Sequence, residues 1–185
     1  MRRILAATAA LGLATAALTL ATGGSAHAAR TTLTVHAAAA TTATCSTARL
    51  PLPDPTCTPG SFNPAVTQAT IHSTICVSGW TATVRPPTSY TNALKAQGII
   101  DYGYADTNLS DYEEDHFIPL ELGGAPRDPQ NLWPEPYSGT LTAHSKDGVE
   151  TKLKNAVCAG TVTLAAARSA MQTNWTTAEQ VLGLG

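Results

Sequence analysis

A chain of 185 residues, 43% hydrophobic and 13% charged, has room for one folded domain with extensions and is too short for several. Its 11 basic and 13 acidic side chains give a formal charge of −2, which excludes a polybasic protein that holds phosphate by net charge. No internal repeat is present, so a solenoid is excluded as well.

The chain begins like an export signal. Arg2 and Arg3 form a charged start, Ile4 to Ala21 is an apolar run, and Ala26-His27-Ala28 has the small-residue pattern of a cleavage site. The alternative is a retained anchor, but the run is weakly apolar Ala and Thr closed by small residues. Cleavage places the start of a secreted, extracellular chain near Ala29, with no membrane attachment and as a monomer. Removing residues 1–28 takes away two arginines and no acid, leaving 9 basic against 13 acidic groups and a charge of −4. A nucleic-acid partner would then need a local basic patch and a bound metal. Cys45, Cys57, Cys76 and Cys158 all follow the cleavage site, and an even count in an exported chain reads as two disulfides. Paired C-x-x-C knuckles are absent, so bridging is preferred to zinc ligation. Of three connectivities, Cys45–Cys57 and Cys76–Cys158 are the expected pair. The second would close a long loop, worth about 4 kcal/mol in the chain-entropy model.

Residues 29–56, rich in Ala, Thr and Pro, read as a linker in which His36 is a solvated bystander. The domain, residues 57–185, opens with a turn at Thr58-Pro59-Gly60. Asn63-Pro64 predicts a helix start running to about Ile75, with His72 an exposed or packed histidine. Val77 to Val84 suits a short extended segment ended by Arg85-Pro86-Pro87. Ser89 predicts the cap of a helix to about Gln97, closed by Gly98. Residues 99–111 read as a Tyr- and Asp-bearing loop that feeds a strand at Tyr112–His116.

That strand opens the most informative stretch, Tyr112 to Glu150. Asp115-His116 precedes Phe117-Ile118-Pro119-Leu120, a turn at Gly123-Gly124, a polar loop, and Asn131-Leu132-Trp133-Pro134. A helix is predicted from about Leu141 to Cys158, with Leu141, Val149, Leu153, Ala156 and Val157 on one stripe. Thr163 caps a last amphipathic helix, Leu164 to about Trp175, and the tail after Glu179 is expected to fray. Mixed short strands and helices define an α+β class.

The order Asp115, His116, Pro119, Leu120, Gly123, Gly124, Asn131, Leu132 resembles the HNH family of metal-dependent nucleases. The lead-in CTPG…TIC…GW…VRPP is similar to that of one exported HNH-like group. The resemblance implies a ββα-metal finger with flanking helices, disulfide-stabilised, that uses a divalent metal ion (Mg, Mn or Zn) to hydrolyse DNA, or RNA. It implies that Asp115 is a metal ligand, His116 the general base, and Asn131 the residue that orients the base and ties the loop. An imidazole titrating near neutrality suits the base role.

The family's last metal ligand, usually histidine, falls here at Thr140, a departure attributed to an insertion at Trp133-Pro134-Glu135-Pro136. The candidates become His144, Lys146, Asp147 and Glu150, with Asp147 and Glu150 favoured as metal ligands. Lys146 is then a phosphate contact or transition-state cation; its bland alternative is an i,i+4 pair with Glu150. Arg127, Lys152 and Lys154 are further candidates for phosphate or plain surface charges. Arg85 is a phosphate contact or an ion-pair partner of the acids at 101–115. The acidic run Asp111, Glu113, Glu114, Asp115 would repel phosphate without a divalent ion. Two rival functions remain: a catalytically silent HNH-like binding module, favoured by acidic charge and the missing helix histidine, and a hydrolase of another phosphodiester.

Overall fold

The computed structural model describes residues 43–185. The export signal, the start of the linker and His36 lie outside the described residues. Within them the order is helix α1 (Trp80–Val84), helix α2 (Thr88–Asp101), strand β1 (Tyr112–His116), strand β2 (Leu132–Pro136), and helices α3 (Ala143–Cys158), α4 (Leu164–Asn174) and α5 (Ala178–Val181). The two strands pair antiparallel, giving an α+β arrangement of helices around one small sheet.

Tyr-Glu-Glu-Asp-His and Leu-Trp-Pro-Glu-Pro are unpromising strand sequences, and the register explains how they pair. Pro134 lies opposite Glu114 and Pro136 opposite Tyr112, at alternate positions. In an antiparallel ladder every second residue turns its N–H away from the partner, so both missing donors fall where no ladder bond is needed. Pro134 also packs on α2. A Cβ on Gly98 would come within 2.8 Å of the Pro134 ring, so the glycine lets helix and strand approach. This is why Gly98 does not close the helix at Gln97 as expected; α2 runs on to Asp101.

The core gathers Ile71, Ile118 and Leu122 with Trp133, the inner stripe of α3 at Leu153 and Val157, and Met171 and Trp175 from the C-terminal segment. Burying a Leu- or Val-sized side chain contributes about 1.5–3 kcal/mol relative to exposure. The stripe predicted on α3 is therefore its packing face, although Leu141 falls outside the helix and is exposed. The helix begins two residues later than expected, where the Thr142 N–H donates to Ser145 Oγ at 3.2 Å. Thr163 caps α4 as predicted, accepting from the Ala166 N–H.

Several local expectations fail for identifiable reasons. The helix expected from Asn63 to Ile75 reduces to one 3-10 turn, Ile71–Ser73. Thr70 Oγ1 accepts from the Thr67 N–H and donates to the Ala65 carbonyl, each at 2.8 Å, which diverts the backbone from helical pairing. His72 is exposed. The extended segment expected at 77–84 is instead the short helix α1, entered through Gly79 at φ 79° and ended as the chain extends before Pro86. The Trp133–Pro136 segment is not an insertion but β2 itself. The tail beyond Glu179 is packed rather than frayed: Leu182 and Leu184 are partly buried against the core.

Two disulfides, Cys45–Cys57 and Cys76–Cys158, fasten the periphery, in the expected pairing. The first ties down residues 43–56, which had been read as linker. Both the Thr44 and Cys45 N–H groups donate to the Asp101 carbonyl at the end of α2. Asp54, held below its ordinary pKa chiefly by the Thr56 N–H and hydroxyl, organises the turn. The second bridge spans 82 residues and joins the segment before α1 to the end of α3. Replacing Cys76 and Cys158 together by Ser should lower unfolding free energy by about 4 kcal/mol, against about 3 kcal/mol for Cys45 and Cys57. Urea titrations of the two double variants test the order, and a smaller loss at the long-range bridge would contradict it.

Candidate functional site

Neighbouring residues of a strand project to opposite faces. Accordingly, Asp115 turns towards α3 and His116 towards the segment preceding and opening α2.

On the α3 side the organising group is Lys146, 1% exposed. Its Nζ donates to Asp115 Oδ2 at 2.5 Å, to Glu150 Oε1 at 2.5 Å and to the His116 carbonyl at 2.9 Å, so all three of its protons are used. Glu135, also 1% exposed, shares the sheet face of Asp115; no N–H or O–H among the described residues donates to its carboxyl oxygens, and its hydrogen bond with the Asp115 carboxylate requires Glu135 to carry a proton. One ammonium therefore serves three buried carboxyls. Burial disfavours charge on Lys146, yet Asp115, Glu150 and Glu135 together raise its pKa above the ordinary value. Burial would raise Asp115 too, but the Lys146 charge overrides it and holds that carboxylate low. The surplus falls on the glutamates. Burial, then the Asp115 charge, pushes Glu135 up to about 10, and burial pushes Glu150 up to about 8 against the pull of Lys146. At neutral pH the cluster is an ion pair with two protonated glutamates beside it.

Of the predicted metal ligands, Asp115 and Glu150 are brought together and are bridged by Lys146. Asp147 stands apart: its side chain is 61% exposed and faces His144, whose Nδ1 lies 3.8 Å from Oδ2 and whose ring stacks on Tyr137. Its charge still reaches inward, contributing to the raised pKa values of Glu113 and Glu150. Among the described residues no three His, Cys, Asp or Glu side chains already form a metal cage. The donor chemistry nonetheless fits a hard cation. The clustered carboxyl oxygens of Asp115, Glu135 and Glu150, two of these groups protonated for want of a second cation, are what a divalent ion with oxygen ligands would engage, at the expense of bound protons.

On the other side, His116 is buried, and its Nε2 lies 3.1 Å from the Pro126 carbonyl. A carbonyl only accepts, so Nε2 carries the proton and the neutral ring keeps its lone pair on Nδ1, which has no hydrogen-bond partner. Burial lowers the imidazole pKa although Asp115 and the Pro126 carbonyl oppose it, so the neutral form dominates at pH 7. His116 lines a cleft of about 270 Å³ with Arg85, Thr91, Lys95, Glu113 and Tyr137.

Asn131, fully buried, ties the connecting loop. Its Nδ2 donates to the Ile118 and Ala125 carbonyls at 2.9 and 3.1 Å, and its Oδ1 accepts from the Ile118 N–H at 2.9 Å. It thereby fixes the backbone next to Pro126, the acceptor of His116. Gly124 completes the knot: a Cβ there would lie 1.7 Å from the Ile118 carbonyl oxygen, so only glycine fits.

Sequence reasoning missed Glu135. Its signal was available: as a strand residue opposite Glu113 it shares the face of Asp115, but the WPEP segment had been read as an insertion. Lys152 and Lys154 are drawn off to Glu179 and Glu121, at 2.6 and 3.8 Å. Arg85 makes no ion pair among the described residues. Searches of protein-family models, curated proteins and solved structures found no match to this chain.

Lys146→Met would strand Asp115 as a buried, unpaired carboxylate and should cost about 3–5 kcal/mol, measured by urea unfolding. A cost below about 1 kcal/mol would show that the ammonium is not the cluster's organising charge. The raised glutamates also set a pH dependence. Each has a folded pKa above its unfolded value of 4.5, so the stability tied to its proton is complete below that value and is lost as pH rises through the folded pKa. Without added metal, stability should fall as pH rises from about 7.5 through about 8, above the range in which an unfolded histidine titrates. Glu150→Gln should make that fall shallower by up to about 1.4 kcal/mol per pH unit, one proton's worth. Parallel curves for the two proteins would refute the protonated glutamate.

Proposed function

We propose that the chain is an exported, metal-dependent endonuclease of the HNH type, hydrolysing phosphodiester bonds of DNA, or RNA, with low sequence specificity. The observation that carries this reading is the state of His116. Its Nε2–H is fixed on the Pro126 carbonyl, its Nδ1 lone pair is unengaged, and it lines a cleft with the cations Arg85 and Lys95. The β1–β2 pair followed by α3, with Asp115 held against Lys146 and Glu150, supports a ββα-metal finger. The paired disulfides, together with the absence of any described helix long and apolar enough to cross a membrane, are compatible with an extracellular protein.

In this mechanism His116 Nδ1 accepts the proton of the attacking water, and the lowered pKa keeps it ready to do so at neutral pH. Pro126 holds the tautomer, and Asn131 holds the loop that carries Pro126. Asp115 and Glu150 are the residues that would hold the divalent ion, with Glu135 behind them. When bound, the ion supplies Lewis acidity for charge growing on phosphate. Lys146 keeps Asp115 ionised and aimed; with its three donors engaged it is a positioning residue rather than a direct phosphate contact. The carboxylate donor set favours Mg²⁺ or Mn²⁺ over Zn²⁺. Because binding would displace glutamate protons, metal affinity should rise with pH.

The test is supercoiled plasmid incubated with the disulfide-bonded mature protein and Mg²⁺, Mn²⁺, Zn²⁺ or EDTA. Nicking is expected with Mg²⁺ or Mn²⁺, none with EDTA, and at least a hundredfold loss in His116→Ala. Folded protein that cleaves nothing with any metal would return the reading to a silent binding module. Cleavage of a chromogenic phosphodiester with DNA untouched would assign another phosphodiester as substrate.

A further inference from the structure

A negatively charged chain that acts on a polyanion needs its few free cations in one place, and their distribution is uneven. Lys146, Lys152 and Lys154 are each held by a carboxylate. The Arg168 guanidinium donates to the carbonyls of Val66, Leu122 and Gly123. Arg85, Lys95 and Arg127 have no carboxylate partner among the described residues, and all three adjoin His116. Arg85 and Lys95 line its cleft, and Arg127 follows Pro126, the residue that anchors its ring.

The three are presented rather than merely exposed. Arg127 lies over the Tyr90 ring of α2, its guanidinium carbon 5.4 Å from the ring centre, and the Tyr90 hydroxyl donates to the Arg127 carbonyl at 2.6 Å. Stacking and hydrogen bond together fix the loop to the helix and leave the guanidinium edge to solvent. Lys95 gives one proton to the Tyr112 carbonyl at 2.8 Å, which steadies Nζ at the cleft wall and leaves two donors. Arg85 stands at the chain's turn into Pro86-Pro87, where the prolines restrict the backbone. Glu113 and Glu114 also line this cleft, but they are half-buried while both guanidinium groups are exposed. Burial raises both carboxyls, Glu114 to about 8, so a polyanion at neutral pH meets chiefly the exposed guanidinium groups.

We propose that Arg85, Lys95 and Arg127, with Tyr90 as the platform under Arg127, form the track on which a polynucleotide backbone lies as it enters the His116 site, each cation meeting one phosphate. This rests on the nuclease reading and adds the substrate's path to it. Three phosphate contacts release about three counterions, so log K against log salt should have a slope of about −2.7 for duplex DNA and about −2 for a single strand.

The experiment measures anisotropy of a fluorescein-labelled 20-mer, duplex or single-stranded, across a salt series. It uses the full disulfide-bonded chain carrying His116→Ala, at constant Mg²⁺, so that DNA is not consumed. Arg85→Ala and Arg127→Ala should each make the slope shallower by about 0.9 on duplex and weaken binding severalfold at low salt, with the slope restored in Arg85→Lys and Arg127→Lys. Arg49→Ala and Lys152→Ala, which change exposed cations elsewhere, should leave the slope unchanged. Unfolding midpoints exclude a folding defect, and the Lys variants keep the test valid if an Ala variant is unstable. An unchanged slope in both Ala variants, while the chain with His116 intact nicks plasmid, overturns the track and leaves the nuclease reading standing. No binding by the His116→Ala chain and no nicking by the chain with His116 intact overturns both.

Discussion

The site turns on a mismatch of charge: one buried ammonium, Lys146, set among the buried carboxyl of Glu135 and the largely buried carboxyls of Asp115 and Glu150. Two charges removed from water compensate each other only when geometry and hydrogen bonding are complete. Lys146 meets that condition with three acceptors, one of them the carbonyl of His116 itself. The same side chain therefore joins α3 to β1, keeps Asp115 ionised, and fixes the backbone of the proposed base. The carboxyls beyond the first cannot be matched, and they remain neutral by keeping protons. A cluster poised this way accepts a further cation more readily than a balanced one, since that cation replaces protons rather than breaking an ion pair.

The second constraint is backbone geometry between the strands. The fifteen-residue connection from Phe117 to Asn131 is long for a hairpin, and loops of that length need internal fastening. Asn131 supplies it with two donated bonds and one good accepted bond inside the loop, all without ionising. An Asp at this position would offer no donor to Ile118 O and Ala125 O and would bury a further negative charge near the cluster. The Gly124 contact with the Ile118 carbonyl is the steric half of the same arrangement. Pro126 emerges from this knot at the position needed to accept from His116. The imidazole's tautomer is thus set by a chain of contacts that begins with an uncharged amide.

Much of this was legible in the sequence, and the parts that were not share a cause. The two late helices and the cap at Thr163 follow from periodicity and capping chemistry. The cysteine count gives two disulfides, with the pairing one choice of three, and the strand ending at His116 came with the motif. The asparagine's place at the loop was readable from the resemblance. What failed were segments where a single residue type was given its usual meaning. Gly98 was taken as a helix stop but is a contact surface for Pro134. An insertion at Trp133–Pro136 would explain the absent helix histidine, yet the segment is a strand whose Pro134 and Pro136 sit at ladder positions that need no donor. Asn63-Pro64 was taken as a helix start, yet the threonines that follow capture the backbone. Each depends on a neighbour distant in sequence or on side-chain bonds that composition does not order. Misreading β2 also hid Glu135, because a residue has no face until its strand has a register.

The charge balance, which counts against a nucleic-acid partner when summed over the chain, takes a different meaning once it is distributed. Several acids are withdrawn from solvent, and three near the site, Glu114, Glu135 and Glu150, hold protons at neutral pH, so the net count overstates the negative field at the cleft. Three of the lysines are committed to carboxylates, so the basic count overstates what is free to meet phosphate. What remains among the described residues, Arg49 apart, is a short row of unpaired cations beside His116 and carboxyls set behind Asp115. Long-range attraction would then be weak and screened within about 10 Å at ordinary salt, leaving recognition to contacts made after encounter. A protein arranged in this way would gain little from diffusional steering, and its discrimination would rest on the geometry of phosphate between the rim cations and the imidazole.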